Sequence, residues 1–542
     1  MNKNLRDFSL KATPQSEPAY GKTQVKNSAG GYVFEIDDLE RARRFLILGS
    51  EDTYYTSGKK LTKENTDVIV RLANENHAGL LELIEEVRFK APKPEYGIFA
   101  LAIASSIGTE EERAKALALL PKIARTGTQL FQYVSFVSQM RGWGRALRRA
   151  VGDWYNEKTG DQVAYQTLKY RNREGYTHKD VLRLSHPMPV TDEHRALYKF
   201  LTSDEVNENL PRQVEGFLKA KEDQTPKEWA ELVREYDLTW EMLPDAALTS
   251  AVVWEALLEK MPYRAMIRNL GRFSALGMTK AMSKTNKEIY GKIVNKEAIA
   301  KSHVHPLDLL IALRTYEQGR GVRGSLSWTP SPLITEGLEE AYYEAFGNVE
   351  KTGKRTMLAL DVSGSMSFSN CAGAPITPRE GSAAMAMVTL RTEGLENTEV
   401  VGFTYDPKAT GGGAWWGAPE GVIPLNLRPS MSLSQVIDEI SGLPFGGTDC
   451  AQPMLYAMKN EIPVDVFIIY TDSETWAGDI HPFQALKDYR QKMGIKDARL
   501  IVVGMTSNGF SIADPDDPGM LDVVGFDSSA PQIISEFSMG QI

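Results

Sequence analysis

Thr356–Ser367 reads TMLALDVSGSMS. Met357-Leu358-Ala359-Leu360 is an apolar run bounded by polar residues, the pattern of a strand buried in a parallel sheet. It runs into Asp361-Val362-Ser363-Gly364-Ser365, a D-x-S-x-S loop. Asp361, Ser363 and Ser365 place hard oxygen donors at alternating positions, and Gly364 lets the backbone turn among them. One carboxylate and two hydroxyls make half of a site for a small hard cation such as Mg²⁺, which needs further oxygens from elsewhere in the fold.

Two stretches can supply them. Gly446-Gly447-Thr448-Asp449 is a glycine-rich loop that carries a hydroxyl. Residues 465–470, DVFIIY, form a second buried-strand pattern that runs into Thr471-Asp472-Ser473. Asp361 and Asp472 therefore both stand at the C-terminal ends of apolar strands, where open α/β sheets form their ligand crevices. The set Asp361, Ser363, Ser365, Thr448 and Asp472 resembles the metal-ion-dependent adhesion site of von Willebrand factor A domains. Asp449 is an alternative ligand, but the resemblance favours Thr448. The plainer alternative is that the serines cap a helix and the carboxylates are solvated.

At 542 residues the chain is too long for one ordinary domain. Its polar start, MNKNLRDFSLKATPQSEP, has no apolar signal-peptide region, and no stretch approaches the length of a membrane span. Cys371 and Cys450 are the only cysteines, too few for a disulfide framework, which points to a reducing, cytoplasmic setting. The net charge of −9 is unevenly spread. Residues 351–542 hold 13 Lys and Arg against 23 Asp and Glu, leaving 49 against 48 for residues 1–350. The acidity belongs to the C-terminal part, and the balanced N-terminal part has room for local basic patches.

Residues 1–29 are rich in Lys, Ser, Pro, Gln and Asn and read as a mobile tail. Beyond them, helical patterns dominate up to residue 350, over 37–49, 72–87, 97–106, 110–125, 128–151, 191–201, 210–220, 226–235, 246–260, 263–270 and 306–316. Alternating-strand patterns are nearly absent there. Many short-linked helices without a crisp repeat point to stacked, diverged helix pairs.

Two basic stretches stand out. In RGWGRALRR (141–149), Arg141, Arg145 and Arg148 fall at i, i+4 and i+7 of a helix. In LKYRNREGYTHKDVLRLSHP (168–187), Lys169 and Arg173 are four apart, and Arg171 lies between them. Thr177 then reads as an N-cap, and Lys179, Arg183 and His186 recur at i, i+4 and i+7. Tyr170 and Tyr176 are interleaved. Basic faces with aromatic and histidine side chains suit RNA, through phosphate contacts and base stacking. Basic helix faces are also commonly just solvated, or paired with acids on neighbouring helices.

GGYVFEIDDLERARRFLILGSEDTYYTSGKKLTKEN (30–65), KYRNREGYTHKDVLRLSHPMP (169–189) and MPYRAMIRNLGRF (261–273) resemble the 60-kilodalton Ro autoantigen family, whose members carry a TROVE module. The resemblance spans nearly the whole chain and implies a multidomain protein. A tail (1–29) would precede an α-helical ring of HEAT-like repeats (30–350). A doubly wound, Rossmann-like α/β von Willebrand factor A domain (351–542) would follow. It implies a scaffold rather than an enzyme. The partners it implies are small noncoding Y RNA on the outer surface, single-stranded ends of misfolded or structured noncoding RNA and rRNA, and an exoribonuclease tethered through Y RNA. The roles it implies are RNA quality control and stress response, without a membrane, for a chain monomeric when free of RNA.

Among the basic residues, Lys169, Arg173 and His186 match the family's RNA-contact block. Arg141, Arg145, Arg148, Arg171, Lys179 and Arg183 extend that set by their facing. The metal pattern is matched in full, for Mg²⁺ with Mn²⁺ or Ca²⁺ as alternatives. A different reading is a metal-dependent protein-interaction module on a helical solenoid, with RNA incidental. A metal-dependent nuclease is disfavoured: two firm carboxylates with hydroxyls make a poor two-metal site, and there is no P-loop, H-E-x-x-H or nucleophile–base pair.

Overall fold

The computed structural model describes residues 12–50, 58–91, 93–321, 325–347, 349–368, 376–404, 421–443 and 446–541. Cys371 and residues 1–11 of the expected tail lie outside them.

Threonine punctuates the helical part of the chain. Thr109, Thr126, Thr159, Thr177 and Thr225 each accept a hydrogen bond from the N–H three residues on, and Glu112, Gln129, Gln162, Asp180 and Glu228 reach back to the threonine's own N–H. Each such capping box satisfies N–H groups that a helix start leaves bare, worth about 1 kcal/mol. Several of the expected helices are each split in two. The span 72–87 breaks at Asn76, whose side chain caps His77–Val87 by accepting from Gly79 N–H. The span 128–151 breaks after Gly127–Met140, because Arg141 is extended (φ −155°, ψ 161°) and Arg145–Asn156 starts only beyond Gly144.

Short strands do occur before residue 350. β1 (Val25–Lys26) pairs antiparallel with β2 (Tyr32–Glu35), and β3 (Asn172–Arg173) with β4 (Tyr176–Thr177). The C-terminal part adds β5 (Thr356–Asp361), β6 (Thr398–Phe403), β7 (Val422–Pro424), β8 (Val466–Thr471), β9 (Arg499–Gly504), β10 (Phe510–Ser511) and β11 (Met520–Val524). Its main sheet runs β11-β9-β8-β5-β6-β7, parallel throughout except for β7 at one edge. β5 and β8 are buried along their whole length, as their apolar runs require.

Successive side chains of β5 point to opposite faces. Leu358 and Leu360 join the core under helix Pro378–Glu393, which is continuous with the core of the helical part. Met357 and Ala359 join the opposite core, under helices Gln452–Lys459 and Pro482–Met493. The result is helices over both faces of a mostly parallel sheet, following a run of packed helices.

The helical path begins and ends on this α/β domain. At its start Arg44, on helix Asp38–Leu48, is fully buried. It donates to Asn508 Oδ1 (3.2 Å), to the Phe510 carbonyl (2.9 Å) and to Asp522 on β11. At its end His305 bonds the Phe526 carbonyl, and Glu339 pairs with Arg391 at 2.8 Å. The path also meets itself, with the rings of Phe89 and His303 4.5 Å apart.

The expectation of a mobile tail over 1–29 is corrected for residues 12–29, which strap the α/β domain. Gln15 is buried; its amide donates to Asp449 (2.7 Å) and to the Ile480 carbonyl (2.9 Å), and its oxygen accepts from Thr475. Asn27 donates to the Thr475 carbonyl (2.8 Å), and β2 pairs with β10. Polar composition reads as a tail only when the residues' buried partners, far along the chain, are out of view.

Replacing Arg44 with Ala strands the Asp522 carboxylate at the junction. Loss of one partner of a buried pair costs about 3–5 kcal/mol, so Arg44→Ala should unfold at markedly lower denaturant than the parent chain in a urea titration followed by circular dichroism.

Candidate metal centre and nucleic-acid interface

The chain leaves β5 toward β6 and later returns to β8 on the other side, so the sheet's switch point falls between β5 and β8. Asp361 ends β5, and Asp472 directly follows β8. This is the crevice in which open α/β sheets hold ligands. Asp361 is fully buried; its Oδ1 accepts from Ser363 N–H (2.9 Å) and its Oδ2 from Thr471 Oγ1 (2.6 Å). The hydroxyls of Ser363 and Ser365 lie 3.0 Å apart, and Ser365 also bonds Asp472. Asp472 accepts from Glu474 N–H at 3.1 Å.

Thr448 is carried in by the glycine loop. Gly364 N–H bonds the Gly446 carbonyl, while Trp476 and Ala477 N–H groups, both at 3.1 Å, hold the Thr448 carbonyl. Its buried Oγ1 has no hydrogen-bond partner among the described residues. Asp449 is occupied instead. It takes Gln15 and Ala451 N–H on one oxygen and Gln452 on the other, and burial raises its pKa to about 6.

The electrostatics are those of a site short of positive charge. Burial pushes the Asp361 and Asp472 carboxyls up, and the Asp361 charge pushes Asp472 further. Arg379 offsets part of this, bonding the Val362 and Ser363 carbonyls and lowering Asp361. Two carboxylates and three hydroxyls, one of them the orphaned Thr448 oxygen, form a donor set that fits a small hard divalent cation. Ser473, with positive φ (61°) and a buried hydroxyl that has no hydrogen-bond partner among the described residues, adjoins the set, and neither Ser473 nor Arg379 was singled out by motif.

The basic residues are arranged differently from their spacing. Lys169 ends helix Gly160–Lys169, but Arg173 lies on the β3–β4 hairpin, whose turn residues Glu174 and Gly175 both have positive φ (53° and 77°), as a two-residue type I′ turn demands. The two are therefore not on one helix face. Lys169, expected among the RNA contacts, has a side chain that is only 7 % exposed. Its Nζ donates to Tyr165 OH (2.8 Å), stands 3.9 Å from Glu241 and lies 5.0, 5.4 and 5.2 Å from the rings of Tyr165, Tyr170 and Trp240. Lys169 is thus the centre of an aromatic cage. Arg171 bonds the Glu241 carbonyl at 2.8 Å, tying down the same junction.

Arg141 also leaves its expected face. It caps Gly127–Met140 and donates to the Ser105 carbonyl (2.6 Å), while Arg145 and Arg148 are exposed on the next helix. Lys179 and Arg183 share a face of helix His178–Ser185. His186 is exposed just beyond it in the left-handed conformation (φ 48°), off the helical register. Helices Arg145–Asn156 and His178–Ser185 pack together. Among the described residues, no carboxylate lies within 4.0 Å of Arg145, Arg148, Arg149, Lys179 or Arg183. Arg173 is exposed, 3.4 Å from Glu174. His178 is a core residue, bonding Tyr155 OH (2.8 Å) and the Tyr170 carbonyl (3.0 Å).

The fold defines a protein whose helical path closes on a von Willebrand factor A-type α/β domain. Comparison with known proteins places it more narrowly. Residues 25–235 and 230–315 match the TROVE domain, and residues 355–538 match the Ro60 vWA domain. The protein named RNA-binding protein RO60 in Deinococcus radiodurans is 38% identical over 551 aligned positions, covering 100% of both chains. The protein of that name in Caenorhabditis elegans is 35% identical, covering 99% of this chain and 93% of its own. The crystal structure of the Deinococcus radiodurans RO (RSR) protein aligns with a TM-score of 0.68 at 38% identity, over 93% of this chain and 100% of that one. The chain belongs to the Ro60 family.

Burial pushes the His178 imidazole down to about 4. Because its folded pKa lies below the unfolded value near 6.5, the unfolded state binds more protons between these values, and stability falls as pH drops through that window. Denaturant titrations from pH 7 to 4.5 should show a component of up to about 1.4 kcal/mol per pH unit that His178→Gln removes.

Proposed function

We propose that this chain is an RNA-binding scaffold that takes its RNA on the surface formed by Arg145, Arg148, Arg173, Lys179, Arg183 and His186. The observation that carries the reading is a group of exposed cations with the half-buried Lys179, most without a carboxylate within 4.0 Å among the described residues, on two packed helices and an adjoining hairpin. Cations mostly without a direct ion pair, although Asp180 acts on Lys179 and Arg183 at longer range, give a surface ready for phosphates. Membership of a family whose relatives are named RNA-binding proteins supports it. The family resemblance gives the finer reading: a small structured Y RNA on this outer face, single-stranded ends of misfolded RNAs, and a part in RNA quality control with a tethered exoribonuclease. Backbone contacts would hold the RNA, and its shape and unpaired bases would provide selectivity.

At the sheet crevice we propose a divalent cation, Mg²⁺ with Mn²⁺ or Ca²⁺ as alternatives, held by Asp361, Ser363, Ser365, Thr448 and Asp472. The cation would supply the positive charge the two buried carboxylates lack. Phe368 and Trp476 are 62 % and 40 % exposed on the segments that follow Ser365 and Asp472. They favour a second role for this end of the sheet, as a docking point for a protein partner whose carboxylate completes the coordination.

Each phosphate neutralised steepens the fall of log affinity with log salt by roughly 0.7–0.9. Arg173→Gln should weaken RNA binding and flatten that slope by about one unit in fluorescence-anisotropy salt titrations. Lys169→Gln, by loosening the cage that seats the hairpin, should weaken binding with the slope unchanged. A flatter slope for Lys169→Gln would put its ammonium on a phosphate, and an unaltered Arg173→Gln would remove the hairpin from the interface. Asp361→Ala should abolish Mn²⁺ binding, read by electron paramagnetic resonance, and leave RNA affinity at the parent value. Loss of both in a folded variant would mean that the two sites are coupled.

A further inference from the structure

Segments far apart in sequence converge where the first helical layers meet the last. Arg88 and Phe89 follow helix His77–Val87, and Arg125 follows Leu120–Ile123. Opposite them, Arg264 stands in the first turn of Tyr263–Ala275, and His303 ends Lys296–Ser302 in the left-handed conformation (φ 48°). The guanidinium carbons of Arg88 and Arg125 lie 5.4 and 5.2 Å from the centre of the Phe89 ring, and the His303 ring is 4.5 Å from it. Phe89 is 36 % exposed, and Arg125 and His303 are open to solvent.

The charges at this seam do not balance. Arg264 pairs with Asp308. Arg88 spends its donors on neutral acceptors, the Ile123 carbonyl (2.7 Å) and Gln129 Oε1 (3.2 Å). Among the described residues no carboxylate comes within 4.0 Å of Arg88 or Arg125. Burial, with the positive charges of Arg125 and Arg264, pushes the Arg88 pKa down to about 10. Guanidiniums that repel one another across a closing contact, two of them half-buried and Arg125 exposed, are stabilised by a shared anion.

We infer that this seam binds a phosphate-class oxyanion, held by Arg88 and Arg125 from one side and Arg264 from the other, and that the anion tightens the closure of the helical path. Guanidinium forks match the paired oxygens of a phosphate. The exposed ring of Phe89 beside His303 adds a platform for a base when the phosphate belongs to a polynucleotide. The site shares no residue with the 145–186 surface, and its ligand is defined by phosphate chemistry, whether free phosphate or an RNA backbone.

The test uses the full chain, with Arg125→Gln as the variant, because Arg125 makes no ion pair whose loss would unfold the protein. Inorganic phosphate is titrated against chloride at matched ionic strength, read by melting temperature and by hydrogen exchange over 86–91 and 300–306. Phosphate should raise the parent's melting temperature and slow exchange on both sides of the seam. Arg125→Gln should bind roughly tenfold or more weakly. Equal stabilisation of parent and variant, or slowed exchange on neither side, overturns the proposal. A short unstructured oligonucleotide distinguishes the sources. Seam protection by it, with binding that phosphate competes away in fluorescence anisotropy, points to an RNA backbone, and protection by phosphate alone points to a free anion. Arg173→Gln is run alongside, so that failure at the seam is separable from failure of the 145–186 surface.

Discussion

The buried guanidinium of Arg44 is the constraint on which the arrangement of the two parts depends. A charge removed from water is tolerated only where it is paired and fully hydrogen-bonded. Arg44 meets that condition only when helix Asp38–Leu48 lies against β11 and the 508–510 segment, where Asp522, Asn508 and the Phe510 carbonyl are waiting. Gly504 is part of the same fit, since a Cβ there would come within 2.9 Å of the guanidinium carbon. With the start of the helical path so anchored, and its end held at Phe526 and Arg391, the path must return on itself, and Phe89 comes to lie against His303.

The crevice between β5 and β8 is built from both ends of the chain. Parallel pairing of β5 with β8 sets Asp361 and Asp472 near enough for their charges to oppose each other. The loop after Asp472 is then held from below by Thr448 and from above by the N-terminal strap. Asn27 takes the Ser473 and Thr475 carbonyls, Ala29 N–H takes Glu474, and Gln15 takes Thr475. Gly31 allows the strap to pass close, because any side chain there would meet the Thr475 carbonyl. The strap thereby reaches the donor set through its supporting loop without contributing a donor.

At the basic surface, charge and role part company. Lys169 and Arg173 are equally cationic in sequence, yet Lys169 lies inside a ring of aromatic side chains and Arg173 stands on the hairpin outside it. The cage joins helix Gly160–Lys169 to Trp240 and Glu241, and Arg171 reinforces that joint. It thus sets where the hairpin stands. Helical facing failed for Arg141 because the extended residue after Met140 interrupts the register.

The sequence by itself determined the features that depend on neighbours in the chain. The buried runs at 357–360 and 466–470, the loop from Asp361 to Ser365, the glycine turn before Thr448 and the Thr177 cap were all legible, because strand burial, turn geometry and capping act over a few residues. Only the tertiary structure decided that residues 12–29 form a strap, that Lys169 is caged, that Asp449 serves Gln15, and that Phe89, beside Arg88 and Arg125, lies against His303. These depend on partners outside the local stretch, some of them hundreds of positions away: Gln15 and Asp449 are 434 residues apart, Arg44 and Asp522 478. A polar side chain carries no local mark of whether water or a distant carbonyl will satisfy it. Apolar periodicity shows in sequence because burial there follows residue type. The fate of a charge or an amide is settled by what the fold brings to it.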